Sequence, residues 1–264
     1  MTDRFTLAQI RAFWTEQADR HHQSATASWS DRRVIELEIK EIVKRIADGD
    51  RVLDVGCANG YSTVQLAAAR RVDVTGVDYI PEMIREARAR LGADPALADR
   101  VRFDVGDITR LTQPDAEFDK VVVIRVLINL GAWDYQRDAL SEALRTVTPG
   151  GLLLLSEATI QGWQRLNQFR REWELPDIAM PAFNQYLDED RLLEAAASRA
   201  DLVEAVHFSS TYYAMTRVIK PLLIQALGRP IDVADPEMEW NRWCAQLPAW
   251  GDYGVQRLFV FRKR

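Results

Sequence analysis

The stretch Val52-Leu53-Asp54-Val55-Gly56-Cys57-Ala58-Asn59-Gly60 decides how this chain is read. Its first four residues belong to a short apolar run, the length and character of a buried strand. Two glycines then bracket a tight turn, and the alanine-rich residues 61–70 have the composition of a helix. Strand, glycine turn and helix together let backbone amides approach a ligand at a helix N-terminus. Asp54 stands at the strand tip, where it can accept a hydrogen bond or face an ammonium group. A dinucleotide-binding turn carries G-x-G-x-x-G. Here Ala58 occupies the middle glycine's place and Gly60 follows, so no pyrophosphate cradle is expected.

Working outward, strands and helices alternate. Residues 5–20 read as a helix with Phe13 and Trp14, followed by the polar His21-His22-Gln23-Ser24. Ser30 or Asp31 is placed to cap a helix whose Ile35, Ile39, Ile42, Val43 and Ile46 fall at helical spacing. Strands are predicted at 51–55, 72–77, 101–105, 118–124 and 152–156, and helices at 61–70, 81–91 (with Pro81 as first residue) and 134–147. Thr148-Pro149-Gly150-Gly151 reads as a turn. Alternation with strands apolar on both faces means a parallel sheet covered by helices. After residue 157 helices are expected at 161–174 and 188–198 and strands at 202–208 and 255–261. Residues 211–250 read as mostly helical, broken by Pro221, Pro230, Pro236 and Pro248. The expectation is one α/β domain over 1–264, with N-terminal helices at 1–47, a ligand-binding core at 48–157, and a second half at 158–264 whose helical cap, 211–250, is inserted before the last strand.

Bulk properties narrow the function. The chain has 264 residues, 47% hydrophobic and 28% charged, as in an ordinary globular protein. Its net charge of −5 argues against a nucleic-acid partner, which calls for a basic surface. Cys57 and Cys244 make neither a disulfide framework nor a zinc pattern, so no metal is expected and a reducing cytoplasmic setting is. The opening MTDRFTLAQI is not a signal peptide, and the longest apolar runs are too short to span a membrane.

Two further segments carry chemistry. Val74-Thr75-Gly76-Val77-Asp78 ends a strand on an acid about 20 residues beyond the glycine turn, the place from which nucleoside-binding folds hold two ribose hydroxyls. Gly106-Asp107-Ile108 follows the third strand with an acid for an exocyclic amine and an apolar side chain for a ring face. With these in order, residues 51–157 resemble the class I S-adenosylmethionine-dependent methyltransferases. VLDVGCANG is similar to their first motif, TGVDYIPEMI to the ribose motif and DVGDITRL to the adenine motif. FDKVVVIRVLINL resembles the strand near the reacting methyl, and ALRTVTPGGLLLLSE the later helix-turn-strand signature; Ala58 is the departure. The resemblance implies a Rossmann-like fold, a mostly parallel seven-stranded sheet with helices on both faces. It implies S-adenosyl-L-methionine as cofactor, with S-adenosyl-L-homocysteine as product. Asp54, Gly56, Cys57, Ala58 and Gly60 would border its methionine part, Asp78 its ribose, and Tyr79, Ile80, Asp107 and Ile108 its adenine. Arg125 would lie near the sulfonium or the acceptor.

The acceptor side reads less sharply. Methyl transfer from a sulfonium leans on positioning and desolvation, with a base needed only where the nucleophile must lose a proton. Glu157, at the end of the fifth strand, and His22 (or its neighbour His21) are the candidate bases, while His207 in the sixth strand is expected to be structural. Arg125, Asn129, Tyr212, Tyr213 and Arg217 are candidate acceptor contacts, with pairing of Arg125 to a nearby acid as the alternative. Arg170, Arg171 and Arg217 would form an anionic pocket, and most cap tryptophans would pack helices on the core. Ile124-Arg125-Val126-Leu127 lacks an amino-methylating Asn/Asp-Pro-Pro-Tyr signature. The expected reaction is methylation of a hydroxyl oxygen on a small molecule or glycan. The alternatives are N- or C-methylation of a secondary metabolite, an aminopropyl-transferase-like reaction, or a non-catalytic cofactor-binding protein. Residues 211–250 would cap the substrate or make the contact of a homodimer.

Overall fold

A computed structural model describes residues 4–228, 232 and 235–264, so Pro230 and the first three residues lie outside the described part. Seven strands form one sheet: β1 (Arg51–Val55), β2 (Asp73–Asp78), β3 (Val101–Val105), β4 (Phe118–Ile124), β5 (Val147–Ala158), β6 (Ala200–Val206) and β7 (Gln256–Lys263). Their order is β3-β2-β1-β4-β5-β7-β6. Pairings among β1 to β5 are parallel, while β7 runs antiparallel to both β5 and β6. The sheet order reverses between β1 and β4, and ligands of open parallel sheets bind beyond the strand carboxyl ends at such a point.

The core sits where the sequence is most continuously apolar. Val121, Val122 and Val123 in β4 and Leu153 to Leu155 in β5 are wholly buried, each contributing about 1.5–3 kcal/mol on removal from water. Helix α3 (Tyr61–Ala69) touches both α2 (Arg32–Val43) and α4 (Pro81–Gly92), and α5 (Trp133–Thr146) and α7 (Glu189–Ala196) pack together as a second group. Asp31 is the N-cap of α2 and accepts from the Val34 amide. Helix α1 (Leu7–His21) lies against α4, and α6 (Ile160–Glu172) follows β5.

The expected cap is present between β6 and β7 as α8 (Ser210–Ala214), a π-helical turn (Met215–Ile219), α9 (Lys220–Leu227) and α10 (Glu239–Cys244). Two local differences from the sequence reading have physical reasons. Thr148 to Gly151 do not separate helix from strand. β5 already begins at Val147, paired with Phe118, and the next partners are Lys120 and Leu152, so residues 148–151 bow out of the ladder as a bulge. Gly150 supplies a positive φ of 77° there, and a Cβ on Gly151 would sit 2.8 Å from the Asp119 carbonyl oxygen. His207 stands one residue beyond β6, its Nδ1 2.8 Å from Asp252 Oδ1. Among the described residues no helix is long and apolar enough to cross a membrane.

Candidate functional site

The glycine turn after β1 is held from beneath by β2. The Gly56 and Cys57 amides both donate to the Val77 carbonyl oxygen, and the Ala58 amide donates to Asp78 Oδ2 at 2.9 Å. These amides are therefore spent on the neighbouring strand rather than turned to an anion, in keeping with the missing pyrophosphate cradle. Gly56 has φ 75°, and a Cβ on it would lie 2.2 Å from Val126 Cγ2. Ala58 has φ 47°, a left-handed conformation that a residue with a Cβ adopts at a cost of roughly 1–2 kcal/mol. Gly60 and Gly76 make room for one ring: added Cβ atoms would approach Phe103 to 2.7 and 2.6 Å. Asn59, not singled out by the motif, is buried and donates from Nδ2 to the carbonyl oxygens of His22 and Ser24, so the turn also anchors the segment after α1.

Asp78 does two things at once. Its Oδ1 accepts from the Ile80 amide at 2.9 Å, satisfying the first turn of α4, where Ile80 as N-cap offers no side-chain acceptor. Its Oδ2 takes the Ala58 amide, and burial pushes its pKa up to about 6 against these hydrogen bonds. Each oxygen keeps a second acceptor site. Asp54 is buried, accepts from Thr63 Oγ1 at 2.6 Å, and is likewise raised to about 6, chiefly by burial. Asp107 is exposed and accepts from the Thr109 amide and hydroxyl. Tyr79 is half-buried with the Arg11 guanidinium over its ring at 5.8 Å, while Ile80 and Ile108 are buried.

Of the cofactor-side residues expected from sequence, all but Gly60 border one cavity of about 1150 Å³, which continues past Arg125, Asn129, Tyr213 and Arg217. Phe13, stacked on Phe183 at 4.5 Å, and Trp14 line it from α1 and the 176–186 segment. Asn129 joins those two covers: its Oδ1 accepts from Trp14 Nε1 and Asn184 Nδ2, while its Nδ2 donates to the Arg125 carbonyl oxygen. Arg125 follows β4 with φ 55°. Its guanidinium lies 4.8 Å over the Trp29 ring, donates to Ser28 Oγ, and stands 3.6 Å from Glu38 Oε2. Arg217 donates to Asp31 Oδ2 at 2.6 Å and lies over the Tyr213 ring. Glu38 was not foreseen, yet its signal was legible: it falls among Val34, Ile35, Ile39 and Ile42 on the buried stripe of α2. It is buried, accepts from Ser156 Oγ and from Gln256 Nε2, and its pKa is raised by burial against the pull of Arg125.

Five expected side chains are not at this cavity. Glu157 is wholly buried beneath it, accepting from the Val126 and Leu127 amides at 2.8 and 2.7 Å, with its pKa pushed by burial up to about 8. It caps the short turn Leu127–Asn129 rather than facing the acceptor. His22 follows the last residue of α1 with its side chain 67% exposed, 3.8 Å from Glu86, and it is His21 that borders the cavity. Tyr212 is buried away from it, its hydroxyl donating to Asp31 and accepting from Asn241 Nδ2. Arg170 and Arg171 make no anionic pocket: Arg170 donates to the carbonyl oxygens of Pro176 and Arg217, and Arg171 pairs with Asp177.

Comparison with known proteins places this geometry. Residues 52–151 match the family model described as a methyltransferase domain. The demethylmenaquinone methyltransferase of Deinococcus radiodurans is 39% identical over 108 residues, covering 40% of this chain and 42% of that protein. The 27-O-demethylrifamycin SV methyltransferase of Amycolatopsis mediterranei is 37% identical over 111 residues, covering 41% of this chain and 39% of that one. The chain thus matches about two fifths of the length of these curated relatives. Among solved structures, the magnesium protoporphyrin IX methyltransferase of Synechocystis PCC 6803, with bound SAH, superposes with a TM-score of 0.62 at 14% identity, covering 97% of this chain and 99% of that one.

Proposed function

For a chain that belongs to the class I S-adenosylmethionine-dependent methyltransferases, we propose a methyl transfer to a hydroxyl oxygen of a small molecule. The observation that carries this reading is the single cavity of about 1150 Å³, which runs from the acids of β1 and β2 to the arginines beyond β4. Single-ligand pockets span about 300–1,000 Å³, so this one has room for a cofactor and an acceptor together. The rifamycin relative, named for a 27-O-demethyl substrate, supports oxygen as the acceptor atom.

The residues present fit S-adenosylmethionine. Asp78 borders the cavity with one acceptor site left on each carboxylate oxygen, the complement of a vicinal diol. Asp54 is an acid suited to an ammonium group, and Ile80, Met83 and Ile108 offer apolar faces for an adenine, with Asp107 beside them. When bound, S-adenosylmethionine supplies a methyl group already activated by a positively charged sulfur. The chain's own work is then positioning and exclusion of water. Asp78 fixes the height of the turn against α4, Asn59 ties the 22–24 segment over it, and Phe13, Trp14 and Phe183 close the side facing solvent.

The same reading treats 1–264 as one cytoplasmic domain acting on a small molecule, with a glycan as the polar alternative, and homodimerisation through the cap as a further possibility to test by light scattering. The net charge of −5 supports a non-nucleic-acid acceptor. Titration calorimetry with S-adenosylmethionine should show one site per chain. Incubation with a small-molecule extract should then give a product heavier by one methylene unit. No cofactor binding would sink the proposal; binding without any methylated product would leave a cofactor-binding protein in its place.

A further inference from the structure

The cavity is chemically divided. The carboxylates that border it, Asp54, Asp78 and Asp107, sit on β1, on β2 and after β3. His21 ends α1, the helix that packs on α4. All four therefore belong to the β3-β2-β1 half of the sheet. The other half, from β4 to the cap, borders the cavity with Arg125 and Arg217 and with Trp29, Trp163, Ile178, Tyr186, Tyr213 and Val255. Among the described residues this half presents no carboxylate and no histidine to the cavity.

The two arginines are anchored to one short loop. Ser28 accepts from Arg125 and Asp31 from Arg217, so residues 28–31 hold both guanidinium groups. Their acids, Glu38 and Asp31, are buried and lie outside the cavity lining. Arg125 Nη1 is itself buried and faces Glu38 Oε2 at 3.6 Å, an ion pair longer than a hydrogen bond. Two cations among aromatic walls, with no carboxylate or histidine among the described residues that line this end of the cavity, suit a nucleophile that arrives without its proton.

We propose that the methyl acceptor is a planar conjugated molecule whose reacting hydroxyl is acidic, a phenol or an enol, bound as its oxyanion beside Arg125 and Arg217 without a protein base. This rests on the methyltransferase reading above. The proton leaves to solvent when the hydroxyl ionises, before transfer. The oxyanion's electron pair then forms the new oxygen–carbon bond, and the carbon–sulfur bond breaks with its pair left on sulfur. The charges of anion and sulfonium cancel, and no proton remains for the chain to remove. An alkyl alcohol, which keeps its proton at neutral pH, has no group here to take it.

The test is calorimetric binding to the full chain loaded with S-adenosylhomocysteine. The probes are 2-hydroxy-1,4-naphthoquinone (an enol ionised at neutral pH), the neutral 1,4-naphthoquinone, and 2-naphthol, a phenol that ionises near the tyrosine range of about 10. The enolate should bind about tenfold or more tighter than the neutral quinone, the size of one charge-assisted hydrogen bond. Binding of 2-naphthol should tighten as pH rises from 7 to 9. The paired variant Glu38→Gln/Arg125→Met removes both charges without stranding a buried carboxylate and should erase the enolate preference. Should that variant fail to fold, the three-probe comparison on the unaltered chain decides alone. Equal affinity for enolate and quinone, absence of any probe binding, or a preference that survives in the folded paired variant would overturn the proposal. Failure to bind S-adenosylhomocysteine would instead overturn the methyltransferase reading beneath it. A stronger response to 2-naphthol assigns a phenol, and to the naphthoquinone an enol.

Discussion

The two ends of the cavity are built by opposite means. At the β1–β3 end the backbone does most of the placing: three consecutive amides of the glycine turn are tied to Val77 and Asp78, and the acids stand at strand tips. At the β4 and cap end side chains do it. Arg125, Arg217, Trp29 and Asn129 are held by partners 55 to 186 residues away in sequence, apart from local contacts of Asn129 with the Arg125 carbonyl oxygen and of Arg217 with Thr216 and the Tyr213 ring. A site made by backbone is written in contiguous motifs, whereas one made by side chains is scattered through the chain.

That contrast can be broken most forcefully at Gly56. Gly56→Val should abolish cofactor binding in calorimetry, because its side chain would enter the space of Val126 at a positive φ. Retained binding would mean the turn is more pliant than its hydrogen bonds indicate. Asp78→Ala should weaken S-adenosylmethionine binding by about 1–3 kcal/mol, the cost of losing a buried acceptor. An unaltered dissociation constant would remove the ribose assignment. Asp54 and Asp78 both titrate at about 6, and both are expected to bind the cofactor as carboxylates. Affinity should therefore fall as pH drops below 6 and level off above 7, and a flat profile from 5 to 7 would count against both roles.

At the opposite end Glu157 separates support from chemistry. Glu157→Ala strands the Val126 and Leu127 amides and should lower stability by about 1–3 kcal/mol in urea titration. Glu157→Gln keeps an acceptor for them. The carboxyl's folded pKa of about 8 is raised above its ordinary value of 4.5, so its contribution to stability is full below about 4.5 and is lost as pH rises through 8. The amide variant should thus match the parent at pH 4.5 and exceed it at pH 9. A methyltransfer rate that collapsed in Glu157→Gln, with stability intact, would restore it as a base. The smallest effect is expected of His22→Ala, whose ring is exposed and remote from the cavity: turnover and melting temperature should stay within error.

What was legible follows the same division. Seven strands, the capping role open to Asp31, and the cofactor-side motifs all come from local pattern, and the structure sets those residues along one sheet edge. Glu157 reads as an edge acid in the sequence because a residue near a strand's end can point up into a site or back into the core, and sequence does not tell which. Tyr212 and Tyr213 stand side by side in the chain, but neighbours on a helix point about 100° apart, so only Tyr213 reaches the cavity. His21 and His22 differ because the helix stops between them: His22, at φ 46°, has left helical geometry, and its ring is exposed. The turn expected at Thr148 to Gly151 was a bulge because β5 had started earlier than its leucine run.

The ring of Phe103 has a consequence for how such a chain can change. Gly60 in the turn and Gly76 in β2 both leave their side-chain space to that one ring, so three positions share a single volume. Their substitutions are not independent events. A descendant that gains a methyl at either glycine while Phe103 remains passes through a chain whose turn no longer closes. One that first shrinks Phe103 relieves the ring clash at both glycines at once, while Gly60, at φ 74° and 3.0 Å from Ala87 Cβ, keeps its backbone strain. The order of mutation, not just its endpoint, decides which neighbouring sequences can be reached.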